Sequence, residues 1–489
     1  MNAPLRRVAV AVIVLFGLLI VNVNYVQVLH ADKLRADPGN TRVLLSEYER
    51  QRGSIVVDGR AIAQSVPTKD HLKYLRQYPN GAVYAPATGF YSLVYGAAGM
   101  ERAENDILSG KDSRLFTRQL SDLFTGRDPK GGNVVLTLNA RAQQAAFKGM
   151  AKQTGAVVAL DPRSGAILAL VSTPSYDPAT LSSHDTEAIR KSYTDLGKLS
   201  PDPMIDRAIS ERYPPGSVFK VVVSAAALQN GVKPGDRIPA PTRYILPGTQ
   251  TQLKNFDNET CGDGRTDTFL HALTISCNTA FAQLGIDLGS DTIRQQARAF
   301  GIDDESFAMP LRVAPSTLGD LPDRAALGQS SIGQRDVQIT PMEGAMIAAA
   351  VANGGMLMQP YLVKELQAPD LSTLATTEPH EIGRTMPTDV AGTLTDMMAN
   401  VVNKGTGRSA RIDGVQVAGK TGTAENAQGA QPHAWFIGFA PADHPTVAVA
   451  VLLEHAGVAG NEVTGGEAAA PIARDVIQAV LTSQGSGGR

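Results

Sequence analysis

The stretch that most constrains this chain is a turn, Pro214-Pro215-Gly216, followed by an apolar segment over residues 217–228. This segment contains no proline or glycine, and its apolar residues fall on every side of a helical projection. Such a pattern predicts a buried helix that begins directly after the turn. The fold must therefore place Lys220, a residue that is rarely buried, inside an apolar helix.

The spacing of Ser217 and Lys220 predicts a nucleophile and its base. Positions three apart share one face of a helix, so Lys220 should reach Ser217. The first helical turn also favours developing negative charge, because its backbone N–H groups are unpaired. A serine needs a neighbouring base, and a lysine becomes one when burial or nearby positive charge lowers its pKa. The alternative is a helix cap followed by a lysine that extends to solvent.

Two further polar motifs lie downstream. Ser276-Cys277-Asn278 offers a hydroxyl that can relay a proton and an amide that can bind a peptide bond, although it also reads as a polar loop. Lys420-Thr421-Gly422-Thr423 follows a strand-like segment. Its lysine and threonine hydroxyls can hold a carboxylate, and its glycine lets a ligand approach the backbone closely.

The three motifs in this order resemble the signature of penicillin-binding proteins and class A β-lactamases, with Cys277 in place of the usual aspartate. Other segments extend the resemblance to class B penicillin-binding proteins, most similar to the actinobacterial members. The resemblance covers nearly the full chain and is most specific over residues 155–482. The segments that carry it are Arg52-Gly53-Ser54-Ile55, residues 96–101, Asp206-Arg207-Ala208, Ser331-Ile332-Gly333-Gln334 with Thr340-Pro341, Ala352-Asn353-Gly354-Gly355, Gly405-Thr406-Gly407 and residues 418–424.

This resemblance implies D,D-transpeptidation of peptidoglycan stem peptides through a serine acyl-enzyme, with β-lactam antibiotics as acylating inhibitors. Ser217 would attack the D-Ala–D-Ala carbonyl, and Lys220 would act as its base. Ser276 would pass the proton to the leaving amine, while Lys420 would set the local potential.

The resemblance also implies how the substrate is held. The backbone N–H groups of Ser217 and Thr423 would form the oxyanion hole. Asn278 would bind the substrate amide, and Thr421, Gly422 and Thr423 would bind the terminal carboxylate. No cofactor is implied. The implied partner is a membrane glycan polymerase of the shape, elongation, division and sporulation (SEDS) family.

Three other functions compete with D,D-transpeptidation as interpretations of these motifs. A class A β-lactamase needs Glu-x-x-x-Asn for rapid deacylation, and none of the glutamates between the second and third motifs has asparagine four residues on. A D,D-carboxypeptidase, which uses water as acceptor, stays open. So does a non-catalytic scaffold or β-lactam sensor in a cell-wall assembly complex, although the intact motifs disfavour it.

Residues 405–410, Gly-Thr-Gly-Arg-Ser-Ala, formally fit a dinucleotide-binding fingerprint. That fingerprint requires a preceding strand, whereas residues 394–403 look helical. We interpret the segment as a turn ahead of the strand that carries Lys420.

The N-terminus predicts a membrane anchor. Residues 8–21 are uncharged and apolar, and the apolar character continues to Leu29 around Asn22, Asn24 and Gln27. The stretch 8–29 is long enough to cross a bilayer, and Arg6 and Arg7 precede it. The basic pair predicts a cytoplasmic tail at residues 1–7 and a body outside the cytoplasmic membrane. A cleaved signal peptide and a buried helix of a soluble protein are the alternatives.

The charge and the histidine and cysteine content give information on nucleic-acid binding, metal binding and disulfide formation. The formal net charge of −2 gives no indication of nucleic-acid binding, and the eight histidines form no metal-ligand pattern. In an exported chain the two cysteines, Cys261 and Cys277, form either one disulfide or two buried thiols.

The order of helices and strands predicts an α/β protein of the α+β type. A hairpin of strands at residues 155–161 and 166–171 and three late strands at 414–419, 434–439 and 446–453 should share one antiparallel sheet. The covering helices are expected at 217–228, 269–284, 341–353 and 468–481. This domain should span 151–484, after a smaller module at 30–150 that ends in a strand (134–138) and a helix (139–152), and before a flexible tail at 485–489.

Overall fold

The computed structural model describes residues 3–30, 48, 50–115, 128, 130–304, 307, 309–424, 431–458, 461–462 and 464–486. In chain order the α-helices of this part are α1 (Ala3–Asn24), α2 (Gly81–Thr88), α3 (Gly99–Ala103), α4 (Asn105–Ser109), α5 (Ala140–Gly149), α6 (Thr186–Leu196), α7 (Lys220–Gln229), α8 (Phe269–Thr274), α9 (Asn278–Leu288), α10 (Ser290–Ala299), α11 (Arg324–Ser330), α12 (Pro341–Ala352), α13 (Thr388–Lys404) and α14 (Gly465–Ser486). The strands are β1 (Ile55–Val57), β2 (Arg60–Pro67), β3 (Tyr74–Gln77), β4 (Tyr91–Ser92), β5 (Gly96–Ala97), β6 (Asn133–Leu136), β7 (Gly155–Leu160), β8 (Ile167–Thr173), β9 (Arg237–Pro239), β10 (Arg243–Ile245), β11 (Gln252–Lys254), β12 (Thr266–Thr268), β13 (Met356–Met358), β14 (Val363–Gln367), β15 (Thr373–Thr376), β16 (Glu381–Arg384), β17 (Ala418–Ala424), β18 (His433–Ala440), β19 (Val447–Leu453), β20 (Gly457–Val458) and β21 (Asn461–Glu462).

The N-terminal helix matches the segment predicted as a membrane span. Helix α1 continues as a π-helical turn, Tyr25–Leu29, and Arg6–Gln27 is the one helix in the described residues that is long and apolar enough to cross a membrane. Its apolar side chains are exposed, as with Ile13 at 70% and Val21 at 67%. A bilayer would cover this surface, which none of the elements in the described part of the chain covers.

A five-stranded antiparallel sheet lies at the centre of the larger domain, in the order β17-β18-β19-β7-β8. This arrangement confirms the prediction that two early and three late strands share one sheet. Strand β17 begins four residues later than predicted, because the chain around Val415 turns back to bridge Ile412. The Lys-Thr-Gly motif therefore lies within the strand.

Helices cover both faces of this sheet. Along β19, Ala448, Ala450 and Leu452 join the core beneath α12, α7 and α9. The alternating residues Val447, Val449 and Val451 join a second core beneath α14 and α5. The period of two along a strand thus divides one sheet between two helical layers. The last helix ends at Ser486, and the rest of the predicted tail, 487–489, lies outside the described residues.

Two predicted helices are divided in the structure. The segment at 217–228 opens with a 3₁₀ turn, Gly216–Phe219, before α7. The segment at 269–284 consists of α8 and α9, separated by a break at Ser276, whose φ is +66°. Apolar periodicity continues through that break, so the sequence pattern could not reveal it.

The N-terminal module is completed by chain from far downstream. Its six-stranded sheet has the order β15-β14-β6-β1-β2-β3, and β14 and β15 follow α12 in sequence. Conversely, α5 packs on the central sheet of the larger domain. The boundary placed at residue 150 in the sequence is therefore not a boundary in space.

A buried carboxylate organises the module. Glu101 is fully buried and accepts from Arg52 Nε at 2.7 Å, Arg76 Nε at 2.6 Å and the Tyr78 hydroxyl at 3.1 Å. Burial alone raises the pKa of Glu101, but the two arginines outweigh it, so the pKa lies below its ordinary value. A carboxylate with a depressed pKa stabilises the folded state at neutral pH, and that contribution is lost as the pH falls through the folded-state pKa.

We predict that Glu101→Gln destabilises the N-terminal module by about 3–5 kcal/mol, because two buried arginines lose their counter-charge. Thermal unfolding and limited proteolysis of the full chain in detergent would measure this. Asp195→Asn, which breaks the exposed pair with Lys191, is the matched control and should change little. A Glu101→Gln protein with the melting temperature and protease resistance of the parent would contradict the prediction.

Candidate active site

The predicted nucleophile lies in a tightly clamped turn. Ser217 is half-buried in the 3₁₀ turn that precedes α7. Gly216 has a φ of +53°, and a Cβ there would lie 2.6 Å from the carbonyl oxygen of Thr423. Trp435 Nε1 donates to the Pro214 carbonyl at 2.9 Å. The turn is therefore fixed against β17 and β18.

Lys220 lies behind this turn and is fully buried. Its Nζ is 2.6 Å from the Ser276 carbonyl oxygen, 2.8 Å from Asn278 Oδ1 and 3.3 Å from Ser276 Oγ. Burial, and then the charge of Lys420, holds the pKa of Lys220 well below its ordinary value. Within the described part of the chain, none of its hydrogen bonds ends on Ser217, which the helical spacing led us to expect. Catalytic hydrogen bonds are often long before substrate binds.

The Ser276 hydroxyl lies between two buried amines. Lys420 Nζ donates to Ser276 Oγ at 2.8 Å, opposite the 3.3 Å contact with Lys220. Lys420 also donates to the Thr421 carbonyl at 2.9 Å, and burial lowers the pKa of Lys420 to about 7. The left-handed backbone of Ser276 is unfavourable for a residue with a Cβ and is typical of functional sites.

Strand β17 forms one wall of the site. It is an edge strand of the central sheet, and its free side faces the Ser217 turn. A Cβ at Gly422 would lie 2.8 Å from the Pro215 carbonyl oxygen, so the strand can pass this close only with glycine. Thr421 and Thr423 project from the opposite face to Lys420, since side chains alternate along a strand.

These elements meet at one cleft of about 2060 Å³. The predicted site residues that line it are Ser217, Ser276, Asn278, Thr421 and Thr423. Lys220 and Lys420 lie buried behind the cleft wall. Its hydroxyl, amide and amine groups are suited to acyl transfer. Across the described residues, no group of three or more histidine, cysteine or acidic side chains is placed to hold a metal ion.

A disulfide supports the second motif. Cys261, in the loop after β11, is bonded to Cys277, and both residues are buried. The neighbouring Asn255 Oδ1 accepts from the Thr279 backbone at 3.0 Å. The bond therefore ties the loop beside the cleft to the break that presents Ser276.

Sequence reasoning missed two other parts of the cleft. Glu454 accepts from the Tyr213 hydroxyl at 2.5 Å and from Arg207 Nε at 3.0 Å. Its only sequence signal is a charge directly after the apolar strand β19. Thr406 also lines the cleft, and its Oγ1 is 2.6 Å from Thr421 Oγ1. In the sequence, its segment carries only a family resemblance and a formal match to a dinucleotide-binding fingerprint, and neither assigns a role to Thr406.

Comparison with known families agrees with this geometry. Residues 155–478 match the penicillin-binding protein transpeptidase domain. Residues 52–134 match the dimerisation domain of penicillin-binding protein A. Both halves of the sequence-based resemblance are thus confirmed.

Relatives and solved structures extend the match to the whole chain. The peptidoglycan D,D-transpeptidases PbpA of Mycolicibacterium smegmatis and Mycobacterium tuberculosis are each 50% identical, over 98% and 99% of this chain and 99% and 100% of theirs. The ceftriaxone acyl-enzyme complex of M. tuberculosis penicillin-binding protein A superposes with a TM-score of 0.87, covering 89% of this chain and 100% of that one. A D,D-transpeptidase domain from Eggerthella lenta, 31% identical, gives 0.76 over 89% and 99%. The chain therefore belongs to the class B penicillin-binding proteins with a transpeptidase domain, in the group of actinobacterial penicillin-binding protein A.

Proposed function

We propose that this protein is a peptidoglycan D,D-transpeptidase that cross-links stem peptides through an acyl-enzyme on Ser217. One observation carries the proposal: three motifs distant in sequence converge on one cleft, where the Ser276 hydroxyl lies between the buried amines of Lys220 and Lys420. Two relatives that are each 50% identical to this chain and are named peptidoglycan D,D-transpeptidases also support the proposal.

Acylation begins when Ser217 Oγ attacks the carbonyl of the penultimate D-alanine and gives its proton to Lys220. Because burial lowers the pKa of Lys220, its amine is available as a base at a lower pH than an ordinary lysine. The oxyanion is stabilised by the backbone N–H groups of Ser217 and Thr423. The C–N bond then breaks, and the leaving D-alanine takes a proton relayed by Ser276.

Deacylation reverses these roles. The amine of a second stem attacks the ester and loses its proton to the same relay, and Ser217 recovers its own. With water as acceptor the same steps give a D,D-carboxypeptidase. A β-lactam acylates Ser217 but keeps its leaving nitrogen tethered, so the ester persists. The β-lactam acyl-enzymes of M. tuberculosis penicillin-binding protein A support this part of the proposal.

Substrate binding uses both walls of the cleft. Asn278 Oδ1 is occupied by Lys220, so its Nδ2, 3.3 Å from the Lys254 carbonyl, is the group available to a substrate carbonyl. Thr421 and Thr423 bind the terminal carboxylate, and Gly422 lets the substrate backbone lie close to β17.

The membrane and partner assignments belong to the same proposal. Residues 1–7 are cytoplasmic, residues 8–29 cross the membrane, and the catalytic domain lies outside. The partner is a SEDS-family glycan polymerase, which supplies the glycan strands whose stems are cross-linked. The membrane-sized apolar helix supports the anchor.

Three substitutions distinguish the role of Ser217 as the nucleophile from that of Lys220 as its base. Ser217→Ala should abolish covalent labelling by a fluorescent penicillin. Lys220→Arg should lower the labelling rate by about 100-fold or more, because a guanidinium cannot accept the proton. Lys420→Arg keeps a positive charge, so we expect less than about a tenfold loss.

The matched control is Ser224→Ala, which removes a buried hydroxyl on the same helix that has no hydrogen-bond partner in the described residues. It should label like the parent. The labelling rate should rise with pH as Lys220 loses its proton, and the rise should occur well below the range of an ordinary lysine. A Lys220→Arg protein that labels at the parental rate would show that Lys220 is not the base.

Products distinguish transpeptidation from hydrolysis. With a donor ending in D-Ala–D-Ala and a second stem carrying a free amine, mass spectrometry should detect a cross-linked dimer and one D-alanine per bond. Ser217→Ala should give neither. A hydrolysed donor without any dimer at high acceptor concentration would replace the transpeptidase assignment with a carboxypeptidase.

Topology can be tested with single cysteines, because both native cysteines are bonded to each other. Lys198→Cys, at an exposed site in the larger domain, should react with an impermeant thiol reagent in cells whose cytoplasmic membrane is intact. Ala3→Cys, at the start of α1 and before the membrane-sized span Arg6–Gln27, should react only after lysis. The reverse pattern would refute the proposed orientation.

A further inference from the structure

The segment Gly405-Thr406-Gly407, which the proposed mechanism does not use, is held rigidly beside the cleft. The Thr406 backbone N–H donates to the Thr274 carbonyl at 3.3 Å. A Cβ at Gly405 would lie 2.0 Å from that same carbonyl oxygen, and a Cβ at Gly466 would lie 2.3 Å from the Thr406 carbonyl oxygen. Backbone on both sides therefore fixes where the Thr406 hydroxyl can lie.

That hydroxyl makes one polar contact in the described structure, to Thr421. The two Oγ1 atoms are 2.6 Å apart, and both residues line the cleft. A hydroxyl has one hydrogen and two acceptor lone pairs. One hydrogen must therefore lie between the two oxygens, and only the other can point into the cleft.

The surroundings of the pair differ on its two sides. Thr421 is 6% exposed and belongs to the wall that carries Lys420 and Thr423. Asn400 Nδ2 donates to Thr274 Oγ1 at 2.8 Å and helps to hold the end of α8, on which Thr406 rests. The Thr406 side is thus anchored to three elements, α13, α8 and α14, whereas Thr421 lies on the edge strand that lines the cleft.

We infer that Thr406 is a positioning residue for Thr421: it donates its hydroxyl hydrogen to Thr421 Oγ1, so that the Thr421 hydrogen points into the cleft and meets the terminal carboxylate. The inference rests on the proposed function, because it assigns a role within that substrate's carboxylate site. Without Thr406, the Thr421 hydroxyl can rotate, and its hydrogen has no fixed direction. The group acting on the carboxylate is Thr421, and Thr406 acts through it.

The test compares penicillin G with its methyl ester, which lacks the carboxylate charge. In the parent protein the acid should acylate faster than the ester. Thr406→Val, which keeps the side-chain shape, should lower the ratio of acid to ester rates by up to roughly tenfold, because the Thr421 hydroxyl remains but its charge-assisted hydrogen bond loses its fixed direction. Thr406→Ser, which keeps the hydroxyl, should retain the ratio. The ester should still acylate Thr406→Val, which shows that the variant is folded, and any slowing should be smaller for the ester than for the acid.

A double-mutant comparison separates positioning from direct binding. Thr421→Val should lower the ratio at least as much as Thr406→Val, and the double variant should lose no more than Thr421→Val alone. An unchanged ratio in Thr406→Val, an equal slowing of acid and ester, or additive losses in the double variant would each overturn the inference. Covalent labelling of Ser217→Ala would instead overturn the proposed function, whereas a parent protein that treats acid and ester alike would overturn the assignment of Thr421 and Thr423 to the carboxylate and, with it, this inference.

Discussion

The site depends on burying two lysine side chains next to one serine hydroxyl. Two ammonium groups this deep cannot both stay charged without a large loss of solvation, and burial lowers the pKa of each. Lys220 and Lys420 come from a helix and a strand that are 200 residues apart in sequence, and the break at Ser276 presents a hydroxyl within hydrogen-bond distance of both. The disulfide at Cys277 and the glycine of the Lys-Thr-Gly motif both hold this arrangement together.

Much of this could be predicted from the sequence, since the strands of the central sheet have strong local patterns. The alternating valines of β19 and the hairpin of β7 and β8 are local signals, and the three motifs specify the chemistry. The helix break at Ser276 could not be predicted, because apolar residues continue on both sides of it. Thr406 and Glu454 acquire roles only through contacts across the cleft, which no local pattern records.

The N-terminal module also contains features that its local sequence could not predict. Its composition changes near residue 150, which suggested a boundary, but β14 and β15 return to complete its sheet. Arg52 and Glu101 were noted only as part of a resemblance, whereas the structure makes them two members of a buried ion network. A strand that pairs with a distant part of the chain has no sequence signature of its pairing.

The strand order also constrains how such a chain can be made. Strand β7 has its partner β19 nearly 300 residues downstream, and the module sheet stays incomplete until residue 376 has been synthesised. In a polypeptide that emerges N-terminus first, the two larger sheets therefore stay unfinished for most of the synthesis, and closing such long loops is entropically slow. The N-terminal module cannot complete its sheet from its own stretch of chain. A nascent or truncated chain would expose open strand edges, which makes it a substrate for chaperones and proteases rather than a smaller working enzyme.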